Sequence, residues 1–147
     1  TLFFYLATVN TPAMALEIPG VGSQYAFSSR DGSGAYLNGS NTYKLNIPAN
    51  PPAQKFWSFV VYDPQTRSML QTGEMPYPSK NNKRNADMVK NADGSIDLYF
   101  GPQAPAGMEA NWVKTVPGKG WFGIFRLYGP GQEWFDRTWK LGDIEKV

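Results

Sequence analysis

The sequence predicts a mainly β protein, an antiparallel β-sandwich of jelly-roll type with short helical turns. Its 147 residues include 15 glycines and 12 prolines, which interrupt the chain roughly every 8 to 12 residues, as expected for short antiparallel strands. Apolar and polar residues alternate in most intervening segments, and no segment keeps a 3.6-residue apolar period. The length fits one domain, residues 1–147, with a hydrophobic core of its own.

The first predicted element is an apolar run at residues 1–9, which ends at a turn over residues 10–12. The run has only about half of the ~18 residues that a membrane-spanning helix needs, so no membrane span is predicted. We expect a buried strand here. The Ala-x-Ala pattern at residues 13–15 leaves the tail of a signal peptide as an alternative.

The following strands are predicted wherever an alternating or apolar segment ends at a turn signal. Residues 56–62 are apolar on both faces except for Ser58 and predict a central strand covered on both sides. Residues 76–91 are polar and basic and predict a long exposed loop, with one helical turn near residues 86–90. One or two helical turns are expected within residues 133–139. The other predicted strands span residues 23–28, 43–47, 95–100, 111–116 and 121–128.

Composition excludes several classes of function. The chain has no histidine and no cysteine, which excludes Cys/His zinc sites, disulfides, cysteine nucleophiles and Ser-His-Asp triads. The net charge of +2 is too small for a dedicated nucleic-acid-binding surface. No sequence motif indicates a cofactor.

A calcium loop is suggested by polar residues at every second position from Asn91 to Asp97. An EF-hand, however, needs glycine at the sixth position and glutamate at the twelfth, where this chain has Ile96 and Pro102. Polar alternation along a strand that follows a turn explains the same residues, so no metal site is predicted.

A histidine-free hydrolase remains conceivable because glycosidase chemistry needs only two carboxylates. Asp63, Asp97, Glu109 and Asp136 lie near aromatic residues and are the candidates for such a pair. Each is more commonly a turn former, a cap or an ion-pair partner, so no catalytic residue is assigned.

Tryptophan is the most informative residue type. Trp57 and Trp121 lie in apolar runs and are predicted to be in the core, whereas three other tryptophans have polar neighbours. Such rings line concave ligand sites or contacts with other domains. The candidate ligand- or partner-binding residues are Trp112, Trp134, Asp136, Arg137 and Trp139.

Several motifs resemble a family of bacterial proteins. They are Phe56-Trp57-Ser58-Phe59, Thr66-Arg67-Ser68-Met69-Leu70-Gln71, Asn91-Ala92-Asp93-Gly94-Ser95, Arg126-Leu127-Tyr128-Gly129-Pro130 and Trp134-Phe135-Asp136 with Thr138-Trp139. This pattern is similar to the domain of unknown function numbered twelve-fourteen, which usually follows a second one numbered twelve-fifty-four.

The resemblance implies a jelly-roll-like β-sandwich that is paired with a related β domain in the full-length form. It also implies export to the periplasm or the cell exterior, and homo-oligomers would be unsurprising. It supplies no activity, cofactor or catalytic residue. We therefore expect either the C-terminal part of a longer protein or a single-domain relative.

Three functional hypotheses follow. The leading one is a non-catalytic module that acts through contact with a sister β domain or with copies of itself. The second is a carbohydrate- or small-molecule-binding module in which Trp112 or Trp134 serves as a stacking platform. The third is the carboxylate-based hydrolase.

Overall fold

The computed structural model describes residues 17–147. This part of the chain contains two four-stranded sheets. Sheet one has the strand order β1-β7-β3-β4, and sheet two has the order β6-β5-β2-β8. The strands are β1 (Ser23–Ser28), β2 (Tyr43–Ile47), β3 (Ala53–Tyr62), β4 (Ser79–Asn81), β5 (Ile96–Gly101), β6 (Trp112–Lys114), β7 (Phe122–Pro130) and β8 (Ile144–Lys146). A 3₁₀ turn at Glu109–Asn111 precedes β6, and a short helix, α1 (Gln132–Phe135), follows β7.

One hydrophobic core lies between the two sheets. Successive residues of a strand point to opposite faces, so alternate positions of β2, β3, β5 and β7 fill this layer. The Phe59 ring of sheet one meets the Phe100 ring of sheet two with 4.8 Å between centroids. Trp57 and Trp121 are both 2% exposed, which confirms their predicted place in the core.

Most of the predicted strands are confirmed within one to three residues at each end. Two strands were not predicted, β4 and β8, each three residues long. The exposed-loop prediction for residues 76–91 is therefore wrong at β4, where Lys80 pairs with Phe59 and is only 8% exposed. The strand predicted at residues 1–9 lies outside the described residues.

The pairing is antiparallel everywhere in the two sheets except between β5 and β6, which run parallel. The prediction of a purely antiparallel arrangement is corrected at this pair. The chain reaches β6 from β5 through the irregular segment 102–108 and the 3₁₀ turn, a connection that crosses from one end of the sheet to the other.

Strand β3 also differs from its prediction. Its inward positions Trp57, Phe59 and Val61 are buried in the core. Its outward apolar positions are only half-buried, and within residues 17–147 no third layer of strands or helices packs over them. Coverage on both sides, as predicted for this strand, is present on one side only in the described part of the chain.

Helix is a minor component of the fold. Among residues 17–147, no helix has the length and apolar character needed to cross a lipid bilayer.

Candidate functional site

Three of the five predicted site residues come together at one cleft. The cleft has a volume of about 530 Å³ and lies between β1 and the segment from α1 towards β8. Trp134, Arg137 and Trp139 line it on one side, and Tyr25 and Ala26 of β1 line it on the other. The free edge of β1 in sheet one leaves this space open, because β1 is the last strand of the described sheet.

Two cations and one carboxylate, Glu17, line the cleft. Arg137 and Lys140 both line it, and neither forms an ion pair within residues 17–147. Arg137 also has a φ of +61°, a left-handed conformation that costs a non-glycine residue free energy and is enriched at functional sites. The cleft can therefore receive a polar or anionic group beside an aromatic ring.

Trp139 is held firmly in place. Its indole Nε1 donates a hydrogen bond to the Ala49 carbonyl oxygen at 3.1 Å, and its ring lies nearly parallel to Phe125 with 6.0 Å between centroids. Trp134 lies 6.3 Å from Trp139 and is half-buried. Trp134 and Trp139 are thus both half-buried and pack against the core at this edge.

The other two predicted site residues lie outside the cleft. Trp112 is on the outward face of sheet two beside Tyr99, and its Nε1 donates to the Gly101 carbonyl oxygen at 3.0 Å. Asp136 accepts hydrogen bonds from the backbone N–H and the hydroxyl of Thr138. Asp136 therefore stabilises the turn after α1.

The candidate carboxylates are each engaged locally. The Lys119 ammonium donates to Asp63 at 2.6 Å and lowers the pKa of that carboxyl, and the Gln65 backbone N–H adds to the effect. Asp97 accepts from the Asn46 side chain at 2.7 Å. Neither the cleft nor a smaller one of about 220 Å³ between β1 and β8 is lined by two described carboxylates, so the structure gives the hydrolase hypothesis no support.

The calcium-like segment is a hydrogen-bonded turn. Asp93 Oδ1 accepts from both the backbone N–H and the hydroxyl of Ser95, which lowers the pKa of the Asp93 carboxyl. Asn46 and Asn91 donate their side-chain amides to the same hydroxyl. Within the described range, no group of three acidic side chains is placed to bind a metal ion.

A second surface is more distinctive than the cleft. The outward positions of β1, β7 and β3 form a face of sheet one that is rich in aromatic residues, here called the aromatic face. Facing side chains contact one another across the strands: Phe56 stacks on Tyr128 at 3.9 Å, and Phe122 lies 5.2 Å from both Phe27 and Tyr62. The aromatic face consists of Tyr25, Phe27, Phe56, Val60, Tyr62, Phe122, Ile124, Arg126 and Tyr128.

Sheet two has no equivalent. Its outward positions are mainly polar or charged, and a row across it places Trp112, Tyr99, Lys44 and Glu145 side by side. Outward positions of a two-layer β protein are normally polar because they face water. Sheet two follows this rule and sheet one departs from it.

Arg126 is the single charged residue of the aromatic face. Its guanidinium carbon lies 4.2 Å from the Tyr128 ring centroid and 4.9 Å from that of Tyr25. One terminal nitrogen donates to Ser23 Oγ at 3.1 Å, whereas Nε is buried and has no hydrogen-bond partner in the described part of the chain. Among residues 17–147, no carboxylate forms an ion pair with this guanidinium.

The phenol of Tyr62 responds to the same surroundings. Burial raises its pKa, the neighbouring Tyr128 adds to the rise, and the Arg126 guanidinium opposes it. The aromatic face is therefore partly desolvated, although no layer formed by residues 17–147 covers it.

Comparison with known proteins identifies the family. The sequence model of the family described as "Protein of unknown function (DUF1214)" matches residues 22–132. The chain belongs to the DUF1214 family. The resemblance to this family is thereby confirmed over a range that runs from the start of β1 to α1, whereas the relation to the domain numbered twelve-fifty-four stays a prediction.

Two solved structures are similar to this DUF1214 chain. The VPA0106 protein from Vibrio parahaemolyticus superposes with a TM-score of 0.73 at 24% identity, over 97% of this chain and 33% of that one. An uncharacterised protein from Burkholderia cenocepacia gives a TM-score of 0.49 at 19% identity, over 87% and 36%. The chain thus spans about one third of the length of these proteins. No curated protein matches it.

Sequence reasoning about this DUF1214 chain did not select the aromatic face. The signal was present in residues 56–62, where the outward set Phe56, Val60 and Tyr62 is as apolar as the inward set. That pattern indicates two apolar faces, of which only the inward one is covered within residues 17–147. In β7 the outward Ile124 and Tyr128 repeat the signal.

Proposed function

We propose that this DUF1214 chain is a non-catalytic β-sandwich module that acts by contact, with the aromatic face as its docking surface. The partner is another β domain, either a neighbouring domain of a longer polypeptide or a second copy of the chain. The observation that carries the proposal is the difference between the two outer faces, aromatic on sheet one and polar on sheet two.

Physical chemistry supports this choice. Contiguous apolar patches on a protein surface mark sites of interaction, because leaving them in water forgoes about 25 cal/mol per Å² of apolar area. Phe27 is 60% exposed, and tyrosine and arginine, both present in the aromatic face, are enriched at the energetic centres of interfaces. The VPA0106 protein is about three times as long as this chain, which leaves room for a neighbouring domain.

The proposal is tested with 8-anilinonaphthalene-1-sulfonate, a dye that fluoresces on apolar protein surfaces. We expect the folded chain to enhance its fluorescence, and Ile124→Asp on the aromatic face to remove most of that enhancement. Lys44→Asp, at an outward position of sheet two, is the matched control and should leave it unchanged. Equal enhancement by both variants would contradict the proposal.

A second measurement uses the solved Vibrio parahaemolyticus protein. The surface that corresponds to the aromatic face should be buried by the rest of that chain or by a second copy. If it faces solvent in that protein, the docking proposal fails.

The cleft favours a second candidate, the binding of a carbohydrate or another small polar molecule. The supporting observation is that half-buried Trp134 lines the cleft with two cations, Arg137 and Lys140, which have no ion-pair partner among residues 17–147. A glycan panel that includes acidic sugars should change the tryptophan fluorescence of the chain, and Trp134→Ala should abolish the response. Trp112→Ala, outside the cleft, is the control. A panel without any response would refute this candidate.

A further inference from the structure

We infer that the aromatic face binds a surface that presents a carboxylate to Arg126, and that this surface belongs to a different domain, not to a second copy of the chain. The inference rests on the proposed docking function and chooses between its two possible partners, a neighbouring domain and a second copy of the chain. It depends on the charge at the centre of the face and on the atoms of Arg126 that have no partner.

Arg126 is placed as a recognition group. It lies on β7, the middle of the three strands that form the face, opposite Tyr25 on one side and Ser58 on the other. Tyr25 and Tyr128 hold its guanidinium by cation–π contacts, which fix the planar group and reduce the entropy lost when it binds.

The guanidinium lacks an anion. Its buried Nε has no acceptor among residues 17–147, and its one described hydrogen bond is to a neutral hydroxyl. A buried N–H without a partner is energetically unfavourable. A carboxylate approaching from outside the sheet would accept from the fixed guanidinium and neutralise it, the pairing that arginine forms most readily at interfaces.

A second copy of the same face is a poor partner. None of the outward residues of β1, β7 and β3 is acidic. In a two-fold contact the same patch meets itself, so pairing centred on β7 would bring two Arg126 side chains together. Like charges that face each other in a desolvated interface repel strongly and disfavour the pairing. The face therefore selects a complementary surface that is apolar and carries an aspartate or glutamate.

The carboxylate preference is tested with two probes that share one ring system, 2-naphthoate and 2-naphthamide. Their affinities are measured by NMR titration of the folded chain, following the side-chain Nε–H resonance of Arg126. We expect both probes to bind the aromatic face, with naphthoate tighter on the order of tenfold. Saturable movement of the Arg126 resonance by naphthoate locates the contact without any variant.

Two variants complete the test. Arg126→Gln should reduce naphthoate affinity to that of naphthamide. Arg30→Gln is the matched control, because Arg30 also stacks on a tyrosine, Tyr36 at 3.9 Å, but lies beyond the end of β1. Equal binding of the two probes to the wild-type chain, or an unchanged preference in Arg126→Gln, would overturn the inference while leaving docking intact. Failure of both probes to bind would instead contradict the proposed function itself.

The choice of partner is tested by sedimentation velocity. Wild-type chain and Arg126→Glu should each remain monomeric, whereas their equimolar mixture should associate, because the variant supplies the missing carboxylate on the same apolar surface. Wild-type chain that pairs through the aromatic face as tightly as the mixture would overturn the inference that the partner is a different domain.

Discussion

Val60 and Val61 are adjacent residues of β3 on opposite sides of sheet one, and they test whether the aromatic face is uncovered. Val61 is fully buried in the core, whereas Val60 points outwards beside Ile124 and is half-buried. Threonine has nearly the shape of valine and a similar preference for strands, so Val→Thr changes little except one methyl group into a hydroxyl. The pair therefore compares the two faces with one substitution.

The expected magnitudes differ clearly. Burying an unpaired hydroxyl costs about 1–3 kcal/mol in proteins, and we expect Val61→Thr to lose that amount of unfolding free energy. A hydroxyl at the surface changes stability by roughly 0.5 kcal/mol or less, which we expect for Val60→Thr. At about 2–4 °C per kcal/mol for a domain of this size, Val61→Thr should lower Tm by about 2–12 °C and Val60→Thr by about 2 °C or less.

Urea unfolding followed by tryptophan fluorescence, together with calorimetric Tm values, measures both variants. The slope of the free energy against urea should be unchanged, so that a shift in midpoint reports stability alone. If Val60→Thr loses as much stability as Val61→Thr, the outward side of β3 is covered within the chain itself. That result would refute the argument that the aromatic face is free to dock.

Three other predictions concern packing, pH and a loop. Gly123→Ala should destabilise the chain by about 1–3 kcal/mol, because a Cβ there would lie 2.2 Å from the Phe59 ring; Phe59→Leu in the same chain should recover part of the lost Tm. The Asp63 pKa is lowered by Lys119, so the stability it provides is present above the unfolded pKa of about 4 and is lost as pH falls through the lower folded pKa. Unfolding curves should accordingly show that Asp63→Asn loses less unfolding free energy between pH ~5 and ~2 than the wild-type chain does. Asn111→Ala removes three part-buried hydrogen bonds, two of them to the backbone of Val89, and should speed hydrogen exchange at Val89 and its neighbours.

Much of the fold was predictable because local chemistry determines it. Residues 43–47 alternate strictly, and the resulting strand β2 has the same bounds. Strands β4 and β8 could not be predicted in this way, since each has three residues and β4 is Ser-Lys-Asn. Such strands exist because a neighbouring strand, β3 or β2, offers free backbone groups to pair with. That information is tertiary and does not appear in a local pattern.

The candidate site was predictable only in part. Polar neighbours singled out Trp134 and Arg137, and both line the cleft. The same signal also selected Trp112, which lies on sheet two, because neighbours in sequence do not show which sheet a strand joins. That Trp112, Trp134 and Trp139 contact a partner stays a prediction. The sequence did not indicate a binding role for Arg126 beyond its place in a family motif. Whether a carboxylate lies near its guanidinium depends on residues far away in the sequence.

Tyr25 determines how the two proposals can be separated. Its ring flanks Arg126 on the aromatic face, and the residue also lines the cleft from the edge strand β1. Any substitution of Tyr25 therefore disturbs both surfaces. A loss of binding in such a variant would not show which of the two surfaces binds the probe. Arg126 belongs to the aromatic face alone and Trp134 to the cleft alone. A double-mutant cycle between them, read out as naphthoate affinity, therefore measures whether the two surfaces are coupled. Additive effects on naphthoate affinity mean two independent surfaces, whereas a coupling free energy means that the two side chains influence the same binding event.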